Sequence, residues 1–233
     1  MNTDDVNHTS GLYIDVELTC WSGPPPPGMK QEIIEIGVVE MDLLTLKITR
    51  ETAYFVRPRR WEISRKCTKL TGITNEDIRT ARPFTEVLAV FTNEFQPSKK
   101  LCGTWGEDAS LIADACGREG MKSPLRNLLD VGQLFRCAFL LKEQSSLRKA
   151  VEMLDFEFDG VPHSALADAK NTARVHAAII RRMRREPEPL PSPAEKPINA
   201  ASSSVFAEKL RQCLHLEKQE QSTSKSATRV ETS

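Results

Sequence analysis

Three stretches of strand character lie next to one another near the start of this chain, residues 11–17, 32–41 and 47–56, and thereafter strand-like and helix-like segments alternate. No other feature narrows the fold more. Pro83 opens a helical pattern with Phe84, Val87, Leu88, Phe91 and Phe95 at helical spacing. A short strand at 99–104 follows, then a helix from Asp108, a strand-like stretch at 127–131, and helices near 133–141, 146–154 and 164–184. Strands first as neighbours and then separated by helices predict an α/β fold, a mixed β-sheet flanked by α-helices. The proline run Pro24–Pro27 makes the first connection a rigid surface loop.

The pattern stops at Arg185. Residues 186–197 read EPEPLPSPAEKP, which disfavours helix and predicts an extended spacer. The expected organisation is a disordered N-terminus at 1–9, one domain at 10–185 and a Pro/Ser-rich linker at 186–202. A short amphipathic helix is expected at 203–220, carrying Val205, Phe206, Leu210, Cys213 and Leu214, and a disordered tail at 221–233. With 39% hydrophobic residues in 233, the domain has material for a sizeable core. Lys+Arg and Asp+Glu are both 32, so the chain lacks the basic excess of a non-specific duplex binder. An N-terminus without an apolar segment, and no apolar run of helix-spanning length, give a cytoplasmic expectation. Six cysteines without a C-x-x-C pair are expected to be reduced thiols.

Three local signals carry chemistry. Asp15-Val16-Glu17 ends an apolar strand, so alternation puts both carboxylates on one face. Two like charges that close oppose each other, and a hard cation such as Mg²⁺ between them removes the penalty; a solvated strand end is the bland alternative. His163 precedes Asp168 by five residues at the start of the last helix. Two fully helical positions at that spacing diverge by about 140°, so His163 belongs in the loop or first turn, leaning back toward Asp168. His176 lies on the apolar stripe of that helix and reads as structural. The third signal is Cys102-Gly103-Thr104-Trp105-Gly106-Glu107-Asp108, a strand end followed by a turn and a helix start. Asp108 is there either an N-cap or a carboxylate aimed at the same metal, and Trp105 either core or a base-stacking face. Together Asp15, Glu17, Asp108 and Asp168 are a ligand set for two Mg²⁺ or Mn²⁺ ions about 3.5–4 Å apart. An imidazole such as His163 suits proton removal from water at neutral pH.

Order and spacing resemble the DEDDh superfamily of 3′–5′ exonucleases, with D-x-E first and H-x4-D last. Within it the chain is similar to the enhanced-RNAi and histone-message exoribonuclease branch, which includes bacterial proteins described as inhibitors of the KinA pathway. The resemblance is carried by residues 15–20, 31–37, 54–58 and 67–74, by Pro162-His163 and by residues 168–174, and it covers about residues 10–184. It implies a ribonuclease H-like fold, two divalent ions and nucleoside 5′-monophosphate products. By the same resemblance Asp15, Glu17, Asp108 and Asp168 bind metal and His163 is the general base. Leu18, Thr19, Leu70, Thr71, Gly72, Ile73, Trp105 and His163 would contact the terminal nucleotide. Two departures matter. Gly106-Glu107 stand between Trp105 and Asp108, which makes Glu107 a rival ligand, and Lys66 replaces an aromatic residue before Cys67. Ala165 replaces a glycine common near the last motif. Arg57, Arg59, Arg60, Arg65, Lys66 and Lys69 form a basic cluster leading into the nucleotide loop, either a solvated face or a phosphate track.

The expectation is a metal-dependent 3′–5′ exonuclease acting on single-stranded 3′ ends, RNA before DNA on the strength of the branch. A DNA-trimming nuclease, its C-terminal tail docking a protein partner, and a non-catalytic end-binding module are the alternatives.

Overall fold

The computed structural model describes residues 9–60 and 62–184. The three neighbouring strand-like stretches form an antiparallel meander of β1 (Ser10–Leu18), β2 (Ile33–Asp42) and β3 (Lys47–Arg57). The β2–β3 turn is closed by Asp42, whose Oδ1 accepts from the backbone N–H groups of Leu44 and Thr45. Helical crossovers then bring β5 (Leu101–Thr104) parallel to β1 and β6 (Asn127–Asp130) parallel to β5. A two-residue β4 (Arg82–Pro83) pairs parallel with β3, giving the order β4-β3-β2-β1-β5-β6. The mixed sheet flanked by helices expected from the element order is the sheet observed.

Alternation divides β1 between two layers. Leu12, Ile14 and Val16 enter a core with Val87, Leu88, Phe91 and Phe95 of α3 (Phe84–Phe95) and with Ile112 and Cys116 of α4 (Asp108–Arg118). The apolar spacing of α3 is what aims those four side chains at the sheet. Tyr13, Asp15 and Glu17 face the other way, toward α7 (Ala165–Arg184). Tyr13 meets His176 of α7 there, its hydroxyl 2.5 Å from Nδ1. Burial pushes the Tyr13 phenol up and His176 down to about 4, so the pair is neutral and structural. The buried positions of α7 include Ala165, Ala169, Ala173 and Ala177, small enough to let the helix lie close on β1 and β2.

The end of the basic cluster and the nucleotide loop fall within residues 65–79, which form two short helices, α1 (Arg65–Thr71) and α2 (Asn75–Arg79). Neither is long enough to show periodicity, and each is started by a cap. Ser64 Oγ accepts from Cys67 N, and Thr74 and Asp77 form a reciprocal capping box. Cys67, Ile73 and Ile78 then pack with Ile34 and Ile63 in a small second core. Between β6 and α7 lie α5 (Val131–Ala138) and α6 (Leu147–Met153). Cys20, Cys67, Cys102, Cys116 and Cys137 are free thiols. Among the described residues, no helix is long and apolar enough to cross a membrane. The expected N-terminal segment apart from Thr9, the linker, the amphipathic helix with Cys213, and the tail lie outside the described residues.

Candidate active site

The site forms where β1 ends. The register sets Asp15 opposite Gly37 and Glu17 opposite Glu35 on β2, and a bulge between Glu17 and Leu18 ends the regular pairing. Asp108 follows β5, which runs beside β1 in parallel and so delivers the start of α4 to the same end of the sheet. Its Oδ1 accepts from Val16 N at 3.3 Å, tying the helix start to the backbone between Asp15 and Glu17. Asp168 lies in the first turn of α7, and its Oδ2 accepts from His163 N at 3.2 Å. His163 has φ of 66°, a left-handed conformation uncommon outside glycine. That reversal keeps His163 off the helix and turned toward Asp168. Donor atoms of Glu17, His163 and Asp168 lie within 4.8 Å of one another.

The carboxylates strain against one another. Burial holds Asp15 well above the usual carboxylate range, and Asp108, Asp168, Glu17 and Glu35 push it further. Glu17 is pushed up to about 8 by burial, then by Asp168, Glu35 and Asp108. Burial also raises Asp108 to about 6, against the opposing N–H of Val16, and Asp168 to about 6, against the N–H of His163. A crowded, partly desolvated set of oxygen donors that resist simultaneous ionisation gains most from a hard cation, so these residues fit divalent metal ions.

The two acids at the third signal are placed differently. Glu107 is exposed and makes no capping bond, whereas Asp108 is 8% exposed and sits in the cluster. Trp105 is half-buried, with Nε1 donating to Ser145 O and its ring against Phe135. The nucleotide-loop residues flank the end of β1, since Cys67 Sγ donates to Leu18 O and Ser64 Oγ to Cys20 O. Of those residues, Thr19 and Ile73 are buried in packing, Leu18 and Thr71 are partly buried, and Leu70 is exposed. Gly72 ends α1 at φ 76°, where a side chain would be strained. All six basic residues of the proposed track are exposed. Arg59 pairs with Glu119, and with Arg60, Lys30 and Arg118 it lines an open groove of about 340 Å³ that also holds Glu32 and Glu119. Lys30 and Arg118 were not legible as part of this group, because α4 brings Arg118 in from another part of the chain. Glu35 was missed as well, although its place opposite Glu17 is visible once the register is known.

Residues 12–176 match the model of the exonuclease family, RNase_T. The zebrafish (Danio rerio) ERI1 exoribonuclease 2 is 32% identical over 187 residues, which are 70% of this chain and 33% of that protein. The mouse (Mus musculus) 3′-5′ exoribonuclease 1 is 29% identical, over 72% of this chain and 52% of that protein. This chain thus spans between a third and about half of those relatives. Among solved structures, the nuclease domain of 3′hExo, a DEDDh family member bound to rAMP, superposes with a TM-score of 0.69 at 28% identity. That superposition covers 76% of this chain and 94% of that domain. A 3′-exonuclease recognising the 3′ end of a histone mRNA stem-loop superposes equally well, at 27% identity. The sheet is therefore the ribonuclease H-like sheet of the DEDDh nucleases. With the family match spanning well over half of its length, the chain belongs to the exonuclease (RNase_T) family.

Proposed function

We propose that this protein is a metal-dependent 3′–5′ exonuclease that removes nucleoside 5′-monophosphates from single-stranded 3′ ends, RNA in preference to DNA. One observation carries the reading. Four carboxylates from β1, α4 and α7, Glu17 and Asp108 buried and Asp15 and Asp168 partly so, converge with a histidine at the end of β1. The RNA preference is supported by the exoribonuclease relatives and by the two solved nucleases bound to rAMP and to a histone message end.

Asp15, Glu17, Asp108 and Asp168 would hold two divalent cations, Mg²⁺ or Mn²⁺. When bound, the cations supply polarisation of the attacking water and neutralisation of the charge on the phosphoryl oxygens. His163 takes the proton from that water on a ring nitrogen, which requires the neutral imidazole. The bond from His163 N to Asp168 keeps base and ligand in one geometry, and the Val16 N–H does the same for Asp108. Leu18, Leu70, Thr71, Gly72 and Trp105 edge the space for the terminal nucleotide, with Thr19 and Ile73 supporting them from within. Arg57, Arg59, Arg60, Arg65, Lys66 and Lys69 offer the phosphates behind it a positively charged path.

The deciding experiment is product analysis on labelled single-stranded RNA and DNA, with and without EDTA. Nucleoside 5′-monophosphates should appear faster from RNA, vanish in EDTA and return with Mg²⁺ or Mn²⁺. Release that survives EDTA, or 3′-phosphate products, would overturn the mechanism. Faster release from DNA would overturn the substrate assignment, and end-binding without cleavage would make the chain a binding module.

A further inference from the structure

β2 touches the start of α7 at two points, two residues apart. Glu35, only 6% exposed, accepts a hydrogen bond at Oε2 from Ala165 N, the first residue of the helix, at 3.0 Å. At Gly37 a Cβ would stand 2.1 Å from the Ala165 carbonyl carbon and 2.4 Å from Leu166 N, so helix main chain rests on bare strand backbone. Both residues share the sheet face of the acids, Glu35 opposite Glu17 and Gly37 opposite Asp15.

The first N–H groups of a helix lack intrahelical partners, and an acceptor there is favourable. A neutral side chain supplies that acceptor without placing a charge beside other acids. Here the acceptor is a buried carboxylate, and its charge adds to the repulsion felt by Asp15, Glu17 and Asp168. Burial lifts the Glu35 carboxyl above its ordinary range while the Ala165 N–H pulls it back. The arrangement loads the resting cluster with strain and in return gives the helix start a strong, directional anchor. Rules of stability are broken in this way where position matters more.

We propose that Glu35 is a positioning residue. Through the Ala165 N–H it sets where the first turn of α7 sits over the sheet, and thereby where His163 and Asp168 stand relative to Asp15 and Glu17. Its catalytic consequence rests on the exonuclease reading; its effect on the cation site does not.

The test uses the full chain with Glu35→Ala and Glu35→Gln. The readouts are kcat and KM on an RNA oligonucleotide, affinity for Mn²⁺ alone, amide exchange at Ala165, and Tm in EDTA. Glu35→Ala should lose roughly 10²-fold in kcat, the cost of about 1 Å of misplacement, with KM nearly unchanged. Mn²⁺ should bind about tenfold more weakly, as when an outer partner of a ligand is removed, and exchange at Ala165 should accelerate. Tm in EDTA should hold or rise, because a buried charge has left the acid cluster. Glu35→Gln should recover most of the kcat and the Mn²⁺ affinity, since an amide oxygen accepts the same bond. Wild-type kcat and Mn²⁺ affinity in Glu35→Ala would overturn the proposal. So would a Glu35→Gln variant as impaired as Glu35→Ala, which would make the charge and not the bond the functional element. Losses that simply follow a lowered Tm would overturn it too. If the wild type cleaves nothing, the exonuclease reading falls by itself, and Mn²⁺ affinity with Ala165 exchange still decides the role of Glu35.

Discussion

Gly37→Ala is a one-carbon test of how α7 is seated on the sheet. The new methyl carbon would lie 2.1 Å from the Ala165 carbonyl carbon, 2.2 Å from its oxygen and 2.4 Å from Leu166 N. Ordinary contact begins near 3.4 Å, and all three opposing atoms belong to the main chain and have no rotamer with which to give way. β2 cannot retreat, since it is paired on both sides, with β1 and with β3. The first turn of α7 must therefore rise by about 1 Å, carrying Asp168 in that turn and pulling on His163 just before it. Overpacking of this size costs about 1–3 kcal/mol. In a domain this large that lowers Tm by roughly 2–12 °C. Activity should suffer more, because about 1 Å of misplacement at reacting groups costs roughly 10²-fold. The assay is kcat on a short labelled RNA at saturating Mg²⁺, with Tm measured on the same preparation. A variant that folds, melts within a few degrees of wild type and keeps kcat within about twofold would refute the claim that close approach at Gly37 sets the site.

In EDTA, Tm should fall as pH rises from about 5 to 8.5. Folded Glu17 holds its proton up to about 8, whereas an unfolded glutamate releases it near ~4.3. The folded state binds more protons across that window, so stability is full below it and is lost as pH climbs through it. The loss is on the order of a few kcal/mol, and Mg²⁺ or Mn²⁺ should flatten the slope; a level EDTA profile would contradict the mutual repulsion of the acids. Asp15→Asn and Asp108→Asn should each abolish turnover without lowering Tm in EDTA, while Glu107→Gln stays near wild type, and an active Asp108→Asn would return the ligand role to Glu107. His163→Ala should lose about 10²–10⁴-fold in kcat with Mn²⁺ affinity much less affected, a split visible by comparing single-turnover rates with metal titration. Asn171 is fully buried and bonds both the N–H and the C=O of Asp159, in the segment leading to His163. Asn171→Ala should therefore reduce kcat and speed amide exchange at Asp159, and unchanged exchange there would show that the clamp is unimportant.

Much of the site was legible along the chain because its elements obey local periodicities. Asp15 and Glu17 had to share a face once residues 11–17 were read as a strand. A histidine five residues before a helical aspartate had to sit off the helix, and His163 does so with φ of 66°. The short helices α1 and α2 escaped the reading because caps at Ser64 and Thr74, together with packing of Cys67, Ile73 and Ile78, hold segments too short to show a period.

The choice between Asp108 and Glu107 could not be made from their order alone. It depends on the parallel pairing of β5 with β1, which points one carboxylate at Val16 N and leaves the other in solvent. Glu35 and Gly37 were silent for a similar reason. Their partner, Ala165, lies 130 residues from Glu35, and only strand register and helix docking bring the two together. Residue types and short-range spacing thus determined which carboxylates and imidazole the chain can bring to one face, since alternation and helical pitch are local geometry. The tertiary structure alone decided which neighbours hold that chemistry in place, because contacts between distant segments follow from sheet register and helix packing.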